Sequence, residues 1–201
     1  LADIAITSNE ALDLPEKPNR LLIYGGGYIA LEFASIFNGF DVETHLVFRA
    51  DLPLRGFDAD VRSEITTALQ GRGVIVHAGC TIDRLEASSN GDLVVLSDGS
   101  RINCDQVMAA TGREPNISGL GLDIAGIEHG PRGEIVVNAD LMTNVTSVFA
   151  IGDVTDRINL TPVAIAEGHA LADTLFGGRP RRVSHLNVPS AVFTQPPIGS
   201  V

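Results

Sequence analysis

Leu21-Leu22-Ile23-Tyr24-Gly25-Gly26-Gly27-Tyr28-Ile29-Ala30-Leu31-Glu32-Phe33 is the stretch on which the reading of this 201-residue chain turns. A short apolar run of the kind buried in a parallel sheet stops at three glycines. A helical pattern comes next, with Ile29, Phe33 and Phe37 four residues apart on one face. The stretch therefore reads as strand, tight turn and helix. Gly25, Gly27 and Ala30 fit G-x-G-x-x-G/A. In that pattern the first small residue allows the turn, the second lets a pyrophosphate approach the backbone, and the third lets helix and strand pack closely. Phosphates would rest on free N–H groups at the helix start, where the dipole favours negative charge. A glycine-rich turn alone also fits a plain tight turn, so its surroundings decide.

Those surroundings continue the pattern. The helix Tyr28–Asn38 closes at Gly39, and a second strand from Val42 to Phe48 ends at Arg49, a βαβ unit of about 30 residues. Arg49 to Phe57 is polar and irregular. Asp58 then opens a helix with Val61, Ile65, Ala68 and Leu69 on one face, ended by Gly71 and Gly73. Val74-Ile75-Val76 reads as a third strand. Thr81–Leu85, Leu93–Leu96 and Ile102 alternate like a meander, with Asp98-Gly99 as its hairpin turn. Gln106 to Ala110 is another buried strand, running into Thr111-Gly112-Arg113. The fold class is α/β: a Rossmann-like dinucleotide-binding domain with three-layer ββα character over 20–114, followed by part of a second α/β domain.

Residues 1–19 read as a connector, in which Thr7-Ser8-Asn9 caps a short turn and Pro15 and Pro18 end it. After Pro115-Asn116 the chain becomes Gly-rich loops, which places a boundary near Glu114. Ile135–Val137 and Val148–Ile151 read as strands, the latter ending at Gly152-Asp153. Thr161 reads as the cap of a helix with Pro162 in its first position, extending to about Phe176. The tail from Val183 to Val201 has strand-like pieces.

At 44% apolar residues the chain can bury a real core. A formal charge of −11 argues against general affinity for nucleic acid or an anionic membrane, so an anionic ligand must meet a local cluster of arginines. No run of about 18 apolar residues and no signal-peptide pattern is present. The absence of an initial Met hints at a fragment. Cys80 and Cys104 are the only cysteines. They lie apart in apolar surroundings and read as reduced core residues of an intracellular protein. His45 and His77 have no neighbours at metal-ligand spacing and read as ordinary strand or surface histidines.

Arg49 and Arg55 are the most informative side chains. A dinucleotide fold that prefers NAD usually ends its second strand with Asp or Glu, which accepts from the ribose 2′-OH. Here Phe48-Arg49 occupies that position and Arg55 comes after it on the loop. Two guanidinium groups suit a 2′-phosphate, so the nucleotide expected is NADPH.

Together these blocks resemble the flavoprotein disulfide reductases, and within them the glutathione reductase branch most closely. They are Gly25–Phe33, Arg49 with Leu54-Arg55-Gly56-Phe57-Asp58, Ala110-Thr111-Gly112-Arg113-Glu114-Pro115-Asn116, and Phe149-Ala150-Ile151-Gly152-Asp153 leading to Leu160-Thr161-Pro162-Val163-Ala164. They occur in family order over nearly the whole chain. The resemblance implies an NADPH-binding domain over 20–114, the second half of an FAD-binding domain over 115–187, and the start of an interface domain over 188–201.

It also implies roles. Gly25, Gly27, Tyr28, Ile29 and Ala30 would cradle NADPH, and Tyr28 would cover the flavin face until nicotinamide displaces it. Glu32 would pair with a Lys beside the flavin that this stretch does not contain. Gly112 and Arg113 would approach the nucleotide near its pyrophosphate and nicotinamide ribose, although a surface ion pair is the plainer reading of Arg113. Gly152 and Asp153 would meet the ribityl hydroxyls of FAD. Leu160 and Thr161 would present helix N–H groups to the flavin pyrimidine edge.

Hydride would pass from NADPH to flavin and electrons on to glutathione disulfide, through segments absent here. The amino-terminal FAD fingerprint, the C-x-x-x-x-C pair and the carboxy-terminal His with its Glu are not in this stretch. Neither His169 nor His185 has a Glu at the needed spacing. The expectations are therefore the central part of such an enzyme, inactive alone, from a homodimeric cytoplasmic protein. Trypanothione reductase, mercuric reductase and a stand-alone NADPH-binding module remain the alternatives.

Overall fold

The structure, a computed structural model, describes residues 4–86 and 91–201. The first three residues of the expected connector, and residues 87–90 within the expected nucleotide domain, lie outside the described residues. The chain divides into two compact units. One runs up to Gly112 and takes in Ala191–Ser200; the other is Arg113–Ser190 with Val201.

In the first unit, Arg20–Tyr24 (β1) is the central strand, and Leu21, Leu22 and Ile23 are wholly buried. A strand apolar on both faces needs cover on both, and it has it. Glu43–Phe48 (β2) and Gln106–Ala109 (β7) flank β1 in parallel, and Ile75–Ala78 (β3) extends the sheet to the order β3-β2-β1-β7. Ile82–Glu86 (β4), Asp92–Leu96 (β5) and Arg101–Cys104 (β6) form the antiparallel meander. Gly99, at positive φ, turns the chain from β5 to β6.

Leu22, Val47, Val107, Val94, Leu96, Ile102, Cys80 and Cys104 make one core that joins the two sheets. The other core joins the parallel sheet to Tyr28–Gly39 (α2) and Ala59–Gly71 (α3) through Leu31, Phe33, Phe37, Ile65 and Leu69. Phe33 and Phe37 stack with ring centroids 6.3 Å apart, as their four-residue spacing predicts. Each such side chain, fully buried, contributes about 1.5–3 kcal/mol. The three-layer ββα arrangement is thus present.

Ser8–Ala11 (α1) precedes β1. Its N-cap Thr7 and Glu10 form a capping box. Beyond it, Asp105 accepts from the backbone N–H groups of Asn19 and Arg20 and from the Arg20 guanidinium, which fixes where β1 begins against β7. Ser190–Val192 (β8) and Ile198–Ser200 (β9) pair with each other, and Val192 joins the α2 core.

The second unit holds Leu122–Ala125 (α4), a 3-10 turn over Gly152–Thr155, and Thr161–Leu175 (α5). Two expectations are corrected here. Residues 135–137 and 148–151 are not strands: His129 with Ile135, and Met142 with Phe149, make single bridges only. Ile135, Val137, Val148 and Ala150 form a small core with Leu122 and Ile127, so burial without a sheet accounts for these apolar positions, while Val136 is exposed. Thr161 is not the cap of α5. Leu160, with extended backbone, holds that place and gives no side-chain bond, and Thr161 and Pro162 are already in the first turn.

Candidate functional site

In the first unit the glycine turn separates three roles. Gly25 has φ +151, and a Cβ there would stand 2.7 Å from the Ala110 carbonyl carbon and nearer still to its oxygen. Only glycine lets β1 leave the sheet beside β7 at this point. Ala30 is fully buried where α2 meets the sheet, as the third small position requires. Gly27 differs from both. Its backbone is ordinary extended, φ −87 and ψ 175, and a Cβ added there would meet nothing within 4 Å. Nothing among the described residues needs glycine at 27, so the open space suits an approaching ligand.

Gly27 is also the N-cap of the 12-residue α2, which has no side-chain cap and no acidic residue in its first turn. Such a helix start accepts an anion. Tyr28 is partly exposed at this start, and Ile29 packs on the α2 core.

Arg49 and Arg55 are brought to the same region by the connection from β2 to α3. Leu54 donates its N–H to the Gly26 carbonyl at 2.7 Å, so the connection is tied to the glycine turn. Leu54 takes φ +52, uncommon for a branched side chain, and is held there by burying that side chain in the α2 core. Arg49 and Arg55, on either side of this anchor, are exposed and have no ion-pair partner among the described residues.

Glu32, in the second turn of α2, accepts from the backbone N–H of Phe193 at 2.9 Å. It thereby ties the segment after β8 to this helix, a partner no local pattern announces. Gly112 has φ +144 at the end of this unit.

In the second unit Arg113 lies 3.6 Å from Asp153, both side chains about half exposed, so two of the expected cofactor residues contact each other. Gly152, at φ +66, donates its N–H to Glu167 Oε2 at 2.6 Å. Glu167 is 1% exposed, and its other oxygen meets His185 Nε2 at 2.7 Å and the Arg157 guanidinium at 3.4 Å. The loop carrying Asp153 is therefore anchored by a buried carboxylate. Glu167 lies between Val163 and Ala170 on the buried face of α5, and a lone charge at helical spacing within such a stripe is a readable signal. Leu160 and Thr161 start α5, again without a side-chain cap or first-turn acid.

His45 Nδ1 and His77 Nε2 lie 3.0 Å apart with stacked rings, and Glu43 sits 3.2 Å from His45 Nε2. Burial, followed by the neighbouring His45, pushes the His77 pKa down. No cluster of three metal-ligating side chains occurs among the described residues. Cys80 and Cys104 are free and buried. Burial, with Asp92 adding to it, pushes Cys104 up to about 12, which leaves no reactive thiolate at neutral pH. Among the described residues no helix is long and apolar enough to cross a membrane.

A helix start with an open glycine, its turn tied by a hydrogen bond to a loop that carries two exposed arginines, marks a dinucleotide-binding α/β protein. The sequence matches the pyridine nucleotide-disulphide oxidoreductase family over residues 2–168, and the chain belongs to that family. Proteins of this family work with a pyridine nucleotide and a flavin. A protein named glutathione reductase from Burkholderia cepacia is 44% identical over 200 residues, covering 100% of this chain and 44% of that protein. One named trypanothione reductase from Leishmania donovani is 45% identical over 203 residues, covering 98% of this chain and 41% of that protein. Among solved structures, the HOCl-induced flavoprotein disulfide reductase RclA from Escherichia coli superposes with a TM-score of 0.90 at 33% identity. That match covers 97% of this chain and 45% of that chain. The chain spans less than half the length of these relatives.

Proposed function

We propose that this chain is the NADPH-binding part of a glutathione-disulfide reductase, with residues 20–114 holding the nucleotide. Residues 115–187 contribute the second half of a flavin site, and 188–201 begin the interface of a homodimer. The observation that carries the reading is Gly27: an exposed glycine at an uncapped helix start whose backbone and surroundings do not require it. A pyrophosphate fits there, on the N–H groups of the first turn of α2.

Arg49 and Arg55 give the preference for NADPH. A 2′-phosphate carries close to two negative charges, and each hydrogen bond to a charged group contributes about 1.5–3 kcal/mol. Two arginines supply roughly two to four decades of preference over NADH, less the part that solvent screening removes. The first turn of α2 with Arg49 and Arg55 would hold the nucleotide, whose nicotinamide would supply a hydride, and Asp153 with the start of α5 would help hold a flavin able to pass the electron pair to a disulfide. The chain's own residues bind and orient: Tyr28 stands at the helix start where it gates access, and Asp153, steered by the Gly152 anchor, offers a carboxylate to hydroxyl donors. Cys80 and Cys104 take no part in thiol exchange, and the chain alone reduces no disulfide. Cytoplasmic residence accords with two free thiols.

Calorimetric titration of NADPH and NADH into the chain and into an Arg49→Ala/Arg55→Ala variant tests this reading. The variant should lose most of the NADPH preference with NADH affinity nearly unchanged. Equal loss of both nucleotides would mean that the arginines support the fold and do not read the phosphate.

A further inference from the structure

The connection from β2 to α3 carries both arginines, yet most of the bonds that fix its path come from elsewhere. Gly79 donates to the Ala50 carbonyl at 3.0 Å, Leu54 to Gly26, and Phe57 to Leu54. Two further ties come from one side chain. Arg62, in the first turns of α3 and half-buried, donates from Nε to the Pro53 carbonyl at 2.6 Å and from Nη2 to the Leu52 carbonyl at 2.7 Å. One rigid fork thus holds two successive carbonyls, which a flexible ammonium cannot reproduce with the same geometry. Pro53 has no N–H of its own, and Leu54 sits at positive φ, so this stretch has no sheet or helix ladder to set its conformation.

We infer that Arg62 is a positioning residue for nucleotide preference: its fork on the Leu52 and Pro53 carbonyls sets the path of the loop that presents Arg49 and Arg55. This rests on the reading of those two arginines as the 2′-phosphate site. Both described side-chain bonds of Arg62 are spent on carbonyls, and its effect on binding passes through the loop. A charge-assisted site loses affinity steeply when its donors are displaced by about an ångström, whereas a nucleotide lacking the 2′-phosphate is indifferent to them.

The test is a mutant cycle read by calorimetry with NADPH and NADH on the 201-residue chain. Arg62→Ala should weaken NADPH on the order of tenfold and leave NADH within about twofold. The same substitution in the Arg49→Ala/Arg55→Ala background should change neither affinity further. Equal weakening of both nucleotides by Arg62→Ala would assign Arg62 to general stability. A continued loss of NADPH in the double-variant background would make it a direct or purely electrostatic contact. No change in NADPH would remove the role altogether. Each of these overturns the inference. If the double variant keeps its NADPH preference, the underlying phosphate reading fails instead, and the inference with it. Should Arg62→Ala not fold, Arg62→Lys keeps the charge without the fork and carries the same comparison, with a loss of NADPH of at least about threefold expected; binding equal to the original chain would overturn the inference.

Discussion

Replacing Gly25 and Gly27 separately by Ala should divide the needs of the fold from those of a ligand. At Gly25 the new Cβ meets the Ala110 carbonyl, and the backbone sits at φ +151, a region that costs on the order of 1–3 kcal/mol for other residues. Neither strand can move freely. Gly25 donates to Val47 at 2.9 Å and Ala110 donates to Tyr24 at 2.8 Å, and each of these bonds contributes about 1 kcal/mol. Gly25→Ala should therefore cost about 3 kcal/mol or more.

At Gly27 the added methyl enters open space at an ordinary φ. Lower entropy of the unfolded chain favours Ala by about 0.4–1 kcal/mol, and the poorer N-cap disfavours it by a similar amount. The net change in stability should stay within about 1 kcal/mol. Binding should not be spared, because in the proposed cradle the methyl would stand where a pyrophosphate approaches. A loss of at least about tenfold, or about 1.4 kcal/mol, is expected for NADPH and NADH alike. Urea unfolding gives the first quantity and calorimetry the second. If Gly27→Ala binds both nucleotides like the original chain, the glycine is not there for a ligand and the phosphate cradle is misplaced. If Gly25→Ala is as stable as the original, the close approach of β7 does not constrain the turn.

Two further predictions concern buried groups. Glu167→Ala leaves the Gly152 N–H and the His185 and Arg157 side chains without their shared acceptor; it should cost about 3 kcal/mol by urea unfolding, and a cost under about 1 would show that the anchor is dispensable. The Cys104 thiol, pushed up to about 12 from an ordinary 9.0, favours the folded state fully below pH 9 and loses that contribution as pH rises through 12. The unfolded state sheds its proton first, so stability should fall by up to about 1.4 kcal/mol per pH unit above about 9, a slope that Cys104→Ala should lack. Equal slopes for the two proteins between about pH 9 and 11 would refute the burial argument.

The strand, turn and helix around Gly25 are legible because the signals are local: a change of period, small residues at fixed offsets, and a helix that ends at glycine. The positions of Arg49 and Arg55 are legible for the same reason, since in a βαβ unit the residues just after the second strand lie beside the nucleotide ribose. Apolar runs at 135–137 and 148–151 mislead, because hydrophobicity reports burial and does not report whether a neighbouring strand is available to pair. The start of α5 differs from its sequence reading by one residue, which is the scale on which a cap depends on φ and ψ and hardly on residue type.

The contacts that stay hidden have a common cause. His45 and His77 meet only because β2 and β3 run parallel in a register that sets Val47 opposite His77; 32 positions of sequence separation carry no trace of it. Glu32 finds the Phe193 N–H 161 residues away. Arg62 binds carbonyls, and every residue has a carbonyl, so no residue type in the loop points to it. The groups expected to touch the nucleotide can be named from side-chain chemistry at motif positions. Those that hold the loops in place act through backbone atoms, and backbone atoms become specific only once the chain has folded. The proposed nucleotide preference therefore divides between two arginines visible in the sequence and a third whose proposed role rests on bonds seen only in the structure.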